Sequence, residues 1–224
     1  MLSDQLSDVI QLVRRYCRQQ ADQGSDEWYL IGRATQSQAR SGSLESVRLQ
    51  FVDCRRCRLC VTRTHLVFGS GPDTADIVFV GEAPGRDEDL QGAPFVGRAG
   101  QLLTRIIEAI RFRREDVYIA NILKCRPPEN RDPLPDEMES CRPILEAQLR
   151  IIRPKMICAL GRIAAQALLG TQKPLTQLRG RIHEYAGARV VVTYHPAALL
   201  RNPNLKRPTW EDMQMFRKEY DRLS

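Results

Sequence analysis

Two sets of residues in this sequence have the types and spacing that chemistry requires. The first is a set of thiols. Cys54 and Cys57 form a C-x2-C pair, and Cys125 and Cys141 have fifteen residues between them. A C-x2-C turn lets two thiolates face one metal centre, and the second pair supplies the other two ligands of a closed site. This spacing suits zinc and a [4Fe–4S] cluster equally, and Cys60 makes a competing C-x2-C with Cys57. Cys17 and Cys158 fall on an apolar helix face and in an apolar strand, where a thiol packs as a small hydrophobe. Seven cysteines, an odd number, with no signal peptide ahead of them, do not read as a disulfide framework.

The second set is polar and lies in three segments. Residues 81–97, GEAPGRDEDLQGAPFVG, form a Gly- and Pro-rich loop with four acidic groups. Its glycines permit close backbone approach to a ligand, and no G-K-[ST] follows, so it is not a P-loop. Glu82 and Glu88 suit acid–base work or the holding of a water, and Phe95 offers a plate for a planar base. Asn121 ends an apolar run. His195 follows another, in TYHPAALLRNP, with Arg201, Lys206 and Arg207 close behind. The pair Leu199 and Leu200 fits a wedge entering a duplex beside phosphate contacts, with ordinary core packing as the alternative.

The positions of these groups follow from the elements that carry them. Strands are expected at Asp76–Val80, Val117–Asn121, Met156–Leu160 and Val190–Tyr194, the last ending a hairpin that begins at Arg181. Helices are expected over Ala99–Ile110, Asp136–Ile152, an Ala-rich stretch after Gly161, and from about Thr209. This alternation predicts an α/β fold with a mostly parallel central sheet flanked by helices. Glu82, Asn121 and His195 each come just after a strand. Open parallel sheets bind ligands beyond the carboxyl ends of their strands, so the three converge on one pocket. At the N-terminus, residues 2–17 carry an amphipathic stripe that must dock on its own domain or on a partner protein. Residues 35–46 read as a linker, which divides the chain into an extension (1–46) and a main domain (47–224).

Composition narrows the class. The chain has 224 residues, 42% hydrophobic and 27% charged, ordinary globular values. No apolar run approaches a membrane span and the start lacks a leader pattern, so a cytoplasmic protein, in the prokaryotic cytosol or nucleoid, with no membrane partner is expected. The first 46 residues carry five Arg against six acidic groups; the remainder carries 29 basic against 21 acidic ones, net +8. A basic domain with a near-neutral extension points to a polyanion, nucleic acid first. No signal for oligomerisation is visible, so a monomer is the default.

Together, C-x2-C-x-L from Cys54, GEAPGRDEDLQGAPFVGRAGQLL, NILKCRPPENRDP, the Leu160–Gly161 pair and YHPAALLRNP resemble the family 4, or iron–sulfur, uracil-DNA glycosylases. The resemblance covers about residues 50–220. It implies a monofunctional enzyme that hydrolyses uracil from DNA to begin base excision repair. It also implies a [4Fe–4S] cluster on Cys54, Cys57, Cys125 and Cys141, with Cys60 spare. By the family pattern, Gly81, Glu82 and Ala83 meet the base through backbone groups, Phe95 stacks on it, Asn121 reads its Watson–Crick edge and His195 bonds O2. Glu88 and Asn130 match polar residues tied to activity, with the ordering of the attacking water as the expected role, and Leu199 and Arg201 fall in the DNA-contacting segment. The better-known uracil family has an Asp where Ala83 stands here. It also has an aromatic wall against thymine's methyl where Gly85 stands, which leaves Glu88 as the candidate to exclude that methyl. The NILKCRPPEN segment lacks the basic insertion of a related branch that captures the sugar covalently. The reading from another class is a non-enzymatic nucleic-acid binder stabilised by zinc or a cluster; an electron-transfer protein is a third.

Overall fold

The computed structural model describes residues 42–223. The amphipathic stripe at 2–17 and the linker up to residue 41 lie outside the described residues. Within them the elements run α1 (Leu44–Phe51), β1 (Ile77–Gly81), α2 (Arg86–Gln91), α3 (Arg98–Ala109), β2 (Tyr118–Asn121), α4 (Pro135–Ile152) and β3 (Met156–Leu160). They continue with α5 (Arg162–Leu169), α6 (Leu175–Leu178), β4 (Ile182–Tyr185), β5 (Ala188–Thr193), α7 (Pro196–Arg201) and α8 (Lys206–Leu223).

The five strands form one sheet in the order β2-β1-β3-β5-β4, parallel except for β4, which pairs antiparallel with β5 through the expected hairpin. β1 and β3 are buried at every position, as strands covered on both faces must be. Side chains alternate across the sheet. Val78 and Val80 join Ile157, Ala159, Val190 and Val192 under Leu145 and Leu149 of α4 and Ala164 and Leu168 of α5. Ile77 and Phe79 join Met156, Cys158 and Val191 under Leu103 and Ile107 of α3 and Met213 and Phe216 of α8. Cys158 is therefore core, as its position in an apolar strand suggests.

A third apolar cluster lies off the sheet. Leu59, Phe68, Leu123, Cys125, Cys141 and Ile144 pack together, with Leu44, Val47 and Phe51 of α1 against them. α1 corrects the reading of the linker. Ser43 and Ser46 exchange backbone-to-hydroxyl bonds of 3.1 Å, a reciprocal cap that starts the helix at Leu44. The division at 46/47 thus falls inside a helix that belongs to the main domain.

Other differences follow from proline chemistry and short lengths. α8 begins at Lys206, about one turn before Thr209, because Pro208 sits in the first turn, where its missing N–H is tolerated. α2 and α7, six residues each, occupy stretches read as loops; neither is long enough to show a period. His195 is the N-cap of α7, its side chain accepting from Ala197 N, with Pro196 at the first helical position.

Candidate active site

The strand order reverses between β1 and β3, and the residues expected to act gather at the carboxyl ends around that point. Gly81 and Asn121 are register partners at the ends of β1 and β2. A Cβ at Gly81 would collide with Asn121 Oδ1 and the Phe95 ring, so only glycine leaves the strand end open. Gly161, at φ 92°, follows β3 as the N-cap of α5, and a Cβ there would press on His195 Cβ at 3.0 Å. These two glycines let Asn121, Phe95 and His195 crowd round one cavity of about 360 Å³, which Glu82, Ala83, Glu88, Asn130 and Arg201 also line.

Asn121 is 2% exposed, and its Oδ1 is buried with no hydrogen-bond partner. Leaving such an acceptor unpaired costs about 1–3 kcal/mol. Its backbone carbonyl is held from behind by Lys124 Nζ at 2.8 Å. Lys124 is fully buried, and desolvation brings its ammonium down to about 8.

Phe95 forms one wall. It is buried at φ 53°, a left-handed conformation that a bulky residue holds only when its surroundings impose it. Arg114 Nη2 donates to the carbonyls of Pro94 (2.8 Å) and Phe95 (3.0 Å), and Gly100 leaves room for the Phe95 carbonyl. The ring stands 5.5 Å from the His195 ring, centroid to centroid.

The two glutamates differ in kind. Glu88 accepts three backbone amides, Val96 (2.9 Å) and Gly97 (3.0 Å) on Oε1 and Gly85 (3.1 Å) on Oε2. It clamps the two ends of the loop together, and a Cβ at Gly85 would meet its Oε2 at 2.7 Å. The Glu82 side chain, half-buried in the cavity, has no hydrogen bond or ion pair among the described residues. Burial first, and the charge of Asp132 second, raise its pKa, while Arg162 opposes them. The Glu82 carboxylate is thus the one without a partner among the described residues, while that of Glu88 holds the loop through three amides.

Asn130 also lines the cavity, at φ 56°, with Oδ1 accepting from Arg126 Nε at 2.9 Å. Its neighbour Arg131 reaches into the same space and makes a bidentate pair with the fully buried Glu137 (2.6 and 2.9 Å). Arg131, Asp132 and Lys124 were not singled out from the sequence. The nearest signal was the NRDP continuation of the Asn121 segment, which names no role.

Burial chiefly, and the Arg201 charge secondarily, lower the His195 pKa to about 4, so the ring is neutral at pH 7. Its Nδ1 accepts from Ala197 N at 3.2 Å. A neutral ring accepting at Nδ1 carries its proton on Nε2. Behind it, Arg179 stacks over Tyr194 at 4.2 Å and pairs with the buried Asp212, which also accepts from Thr193 Oγ1 at 2.7 Å.

The thiols lie apart from this cavity. Cys54, Cys57, Cys60, Cys125 and Cys141 line a second, smaller one with Leu66, Ile144 and Lys124. Arg63 Nη1 donates to Cys125 Sγ and Lys124 N to Cys141 Sγ, each at 3.3 Å. No three of the described His, Cys, Asp or Glu side chains form a group that could hold a single metal ion. Of the two residues expected to touch DNA, Arg201 is exposed at the cavity rim, but Leu199 is 2% exposed and packed inward. As α7 winds, its neighbour Leu200 takes the outward position, 42% exposed; the leucine on the surface is 200, not 199.

A parallel sheet with a base-sized cavity at its reversal point, walled by an aromatic ring, an amide and a neutral imidazole, has relatives. Residues 68–214 match the family model described as the uracil DNA glycosylase superfamily. A type-4 uracil-DNA glycosylase of Archaeoglobus fulgidus is 47% identical over 180 residues, 77% of this chain and 90% of that one. Another, from Thermotoga maritima, is 45% identical over 179 residues, 78% and 93% of the two chains. A type-5 uracil-DNA glycosylase of Pyrobaculum aerophilum is 37% identical over 99 residues, 43% of this chain and 42% of that one. The chain belongs to the type-4 uracil-DNA glycosylase family.

Proposed function

We propose that this protein hydrolyses the N-glycosidic bond of uracil in DNA, releasing the free base and leaving an abasic site for repair. The observation that carries this reading is the buried, unpartnered Asn121 Oδ1 at the back of the cavity. Uracil presents a donor at N3 and an acceptor at O4, which an asparagine amide satisfies with its oxygen and its NH2. With the amide oriented as it is here, cytosine presents the reverse and would leave each group unpaired, at about 1–3 kcal/mol apiece. Phe95 supplies the stacking face. Glu88, filling the space beside Gly85, bars the methyl that distinguishes thymine.

Bond cleavage puts negative charge on the departing base and oxocarbenium character on the sugar. The Nε2–H of neutral His195 donates to O2 as that charge grows, a preorganised stabilisation that costs no proton transfer. As the C1′–N1 bond breaks, its electron pair stays on uracil; a water forms the new C1′–O bond and gives its proton to the Glu82 carboxylate. The raised pKa of Glu82 makes it a better acceptor, and Asn130 lies on the same wall. No lysine among the described residues lines the cavity, which supports water as the nucleophile and a monofunctional enzyme.

The thiol cavity suits a [4Fe–4S] cluster on Cys54, Cys57, Cys125 and Cys141. Two of these thiols, Cys125 and Cys141, receive N–H···S bonds of the kind that tune cluster thiolates. When bound, the cluster supplies a structural tie between the Cys54–Cys60 turn, the Asn121 segment and α4. We place the enzyme in the cytoplasm as a monomer acting on uracil-containing DNA; no helix among the described residues is long and apolar enough to cross a membrane.

The test is release of free base from matched oligonucleotides containing one uracil, thymine, cytosine or hypoxanthine. Release from the uracil strand alone is expected between uracil, thymine and cytosine, with hypoxanthine reporting the breadth of the pocket. Binding without release of any base would leave a nucleic-acid-binding module instead.

A further inference from the structure

Phe95 owes its place in the cavity wall to its backbone. At φ 53° the residue needs support from outside itself, and both peptide units that meet at its Cα are gripped. Arg114 lies in the short turn Arg114–Asp116 ahead of β2. Its Nη2 alone donates to the carbonyls of Pro94 (2.8 Å) and Phe95 (3.0 Å). Successive carbonyls converge on a single donor only when the residue between them is folded as a helical residue is; along an extended chain they point to opposite sides. One guanidinium nitrogen thus selects the folded backbone of Phe95 over the extended one.

The second of those peptide units is held at its other end by the opposite charge. Val96 N–H, in the same unit as the Phe95 carbonyl, donates to Glu88 Oε1 at 2.9 Å. A cation on the oxygen and a carboxylate on the N–H both agree with the peptide dipole, so a flip of this unit would set each charge against the wrong pole. Arg114 is itself aimed. Its Nη1 donates to Thr104 Oγ1 at 2.9 Å, and that hydroxyl donates to the Gly100 carbonyl at 3.2 Å. Gly100 in turn has no Cβ to collide with the Phe95 carbonyl. Arg114 does not line the cavity, so whatever it does for the reaction passes through other residues.

We propose that Arg114 is a positioning residue for uracil excision, acting through Phe95: it sets the backbone that lays the ring against the base. The ring sits beside Gly81, the register partner of Asn121, and 5.5 Å from the His195 ring. A turn of the Phe95 backbone would carry the stacking face away from both the reader of the base and the donor to O2. Arg114 therefore matters to the reaction only while the ring is there. A residue that merely anchored the loop would matter equally with or without it. The inference rests on the uracil reading for the identity of the base.

The experiment is a double-mutant cycle on the full-chain holoenzyme with Arg114→Ala, Phe95→Ala and the two together. Single-turnover uracil release at saturating DNA and inhibition by free uracil are measured for each. Arg114→Ala should lose about tenfold in both, within the range that loss of one stacking contact covers. On the Phe95→Ala background the same change should cost less than about twofold, because residues that act as a unit are not additive. Equal losses in the two backgrounds, or unchanged inhibition by free uracil in Arg114→Ala, would overturn the proposal. Thr104→Val removes only the hydroxyl that aims the guanidinium; it should show the same pattern in milder form, and it decides the question if Arg114→Ala does not fold. A reading independent of the reaction comes from 4-fluorophenylalanine placed at position 95. Its single fluorine resonance should shift or broaden in Thr104→Val and Arg114→Ala, and a resonance that stays put in both contradicts the assignment. Failure of wild type to release uracil would instead refute the enzymatic reading and leave the fluorine signal to judge the hold of Arg114 on Phe95 by itself.

Discussion

At the level of single residues, the cavity is built from groups whose environment fixes one state of each. His195 is neutral because burial and Arg201 oppose its protonation, and its Nδ1 is occupied by Ala197 N. The acid limb of kcat/KM that belongs to this ring should therefore fall near pH 4, well below the ordinary histidine value of about 6.5; a limb at 6–7 abolished by His195→Gln would contradict it. His195→Ala should lower the single-turnover rate about 10²–10³-fold, the usual loss for one preorganised donor. Much of this was legible in the sequence, because Glu82, Asn121 and His195 come at or just after strand ends and strand ends converge. The difference in partners between Glu82 and Glu88 was not. It depends on which backbone amides the loop turns toward Glu88, and no spacing encodes that. Glu88→Gln should accordingly loosen the loop, with increased amide exchange at residues 85–97, whereas Glu82→Gln should slow release and leave exchange there unchanged.

Among the elements, α4 links the two sites. It carries Cys141 into the thiol cavity and Glu137, one turn earlier, into the pair that holds Arg131 beside Asn130. The Asn121 segment makes the same link from the other side, since Lys124 donates its backbone N–H to Cys141 Sγ and its Nζ to the Asn121 carbonyl. Loss of the cluster should therefore loosen residues 126–132. Cys125→Ala should raise amide exchange in that segment and slow uracil release; unchanged exchange and full release would contradict the structural tie. Arg131→Met should lower the folding stability by leaving Glu137 with only the Leu134 amide as partner, measurable by denaturant melts. The sheet, the longer helices and the hairpin could be read from apolar runs and periodicity. The six-residue helix α7 could not, and that is why Leu199 was expected on the surface: in a loop both leucines could face out, but in a helix consecutive side chains are about 100° apart and one turns to the core.

For the molecule as a whole, charge and protonation set the working range. Because the His195 pKa is lower in the folded chain than unfolded, the unfolded state takes up more protons between about pH 6.5 and pH 4. The contribution of this group to stability is thus complete above that window and is lost as pH falls through it, and His195→Gln should flatten that part of the pH–stability curve. The net charge of +7 gives every DNA strand some affinity at low salt, so binding alone says little about function. The decisive quantity is whether the unpartnered oxygen of Asn121 selects the base that leaves. The measurement is single-turnover base release from uracil-containing DNA by wild type and Asn121→Ala, with DNA affinity recorded in parallel. The account predicts release of uracil by wild type, a rate about 10²-fold lower or less in the variant, and equal DNA affinity for both. Equal release by the two proteins would contradict it.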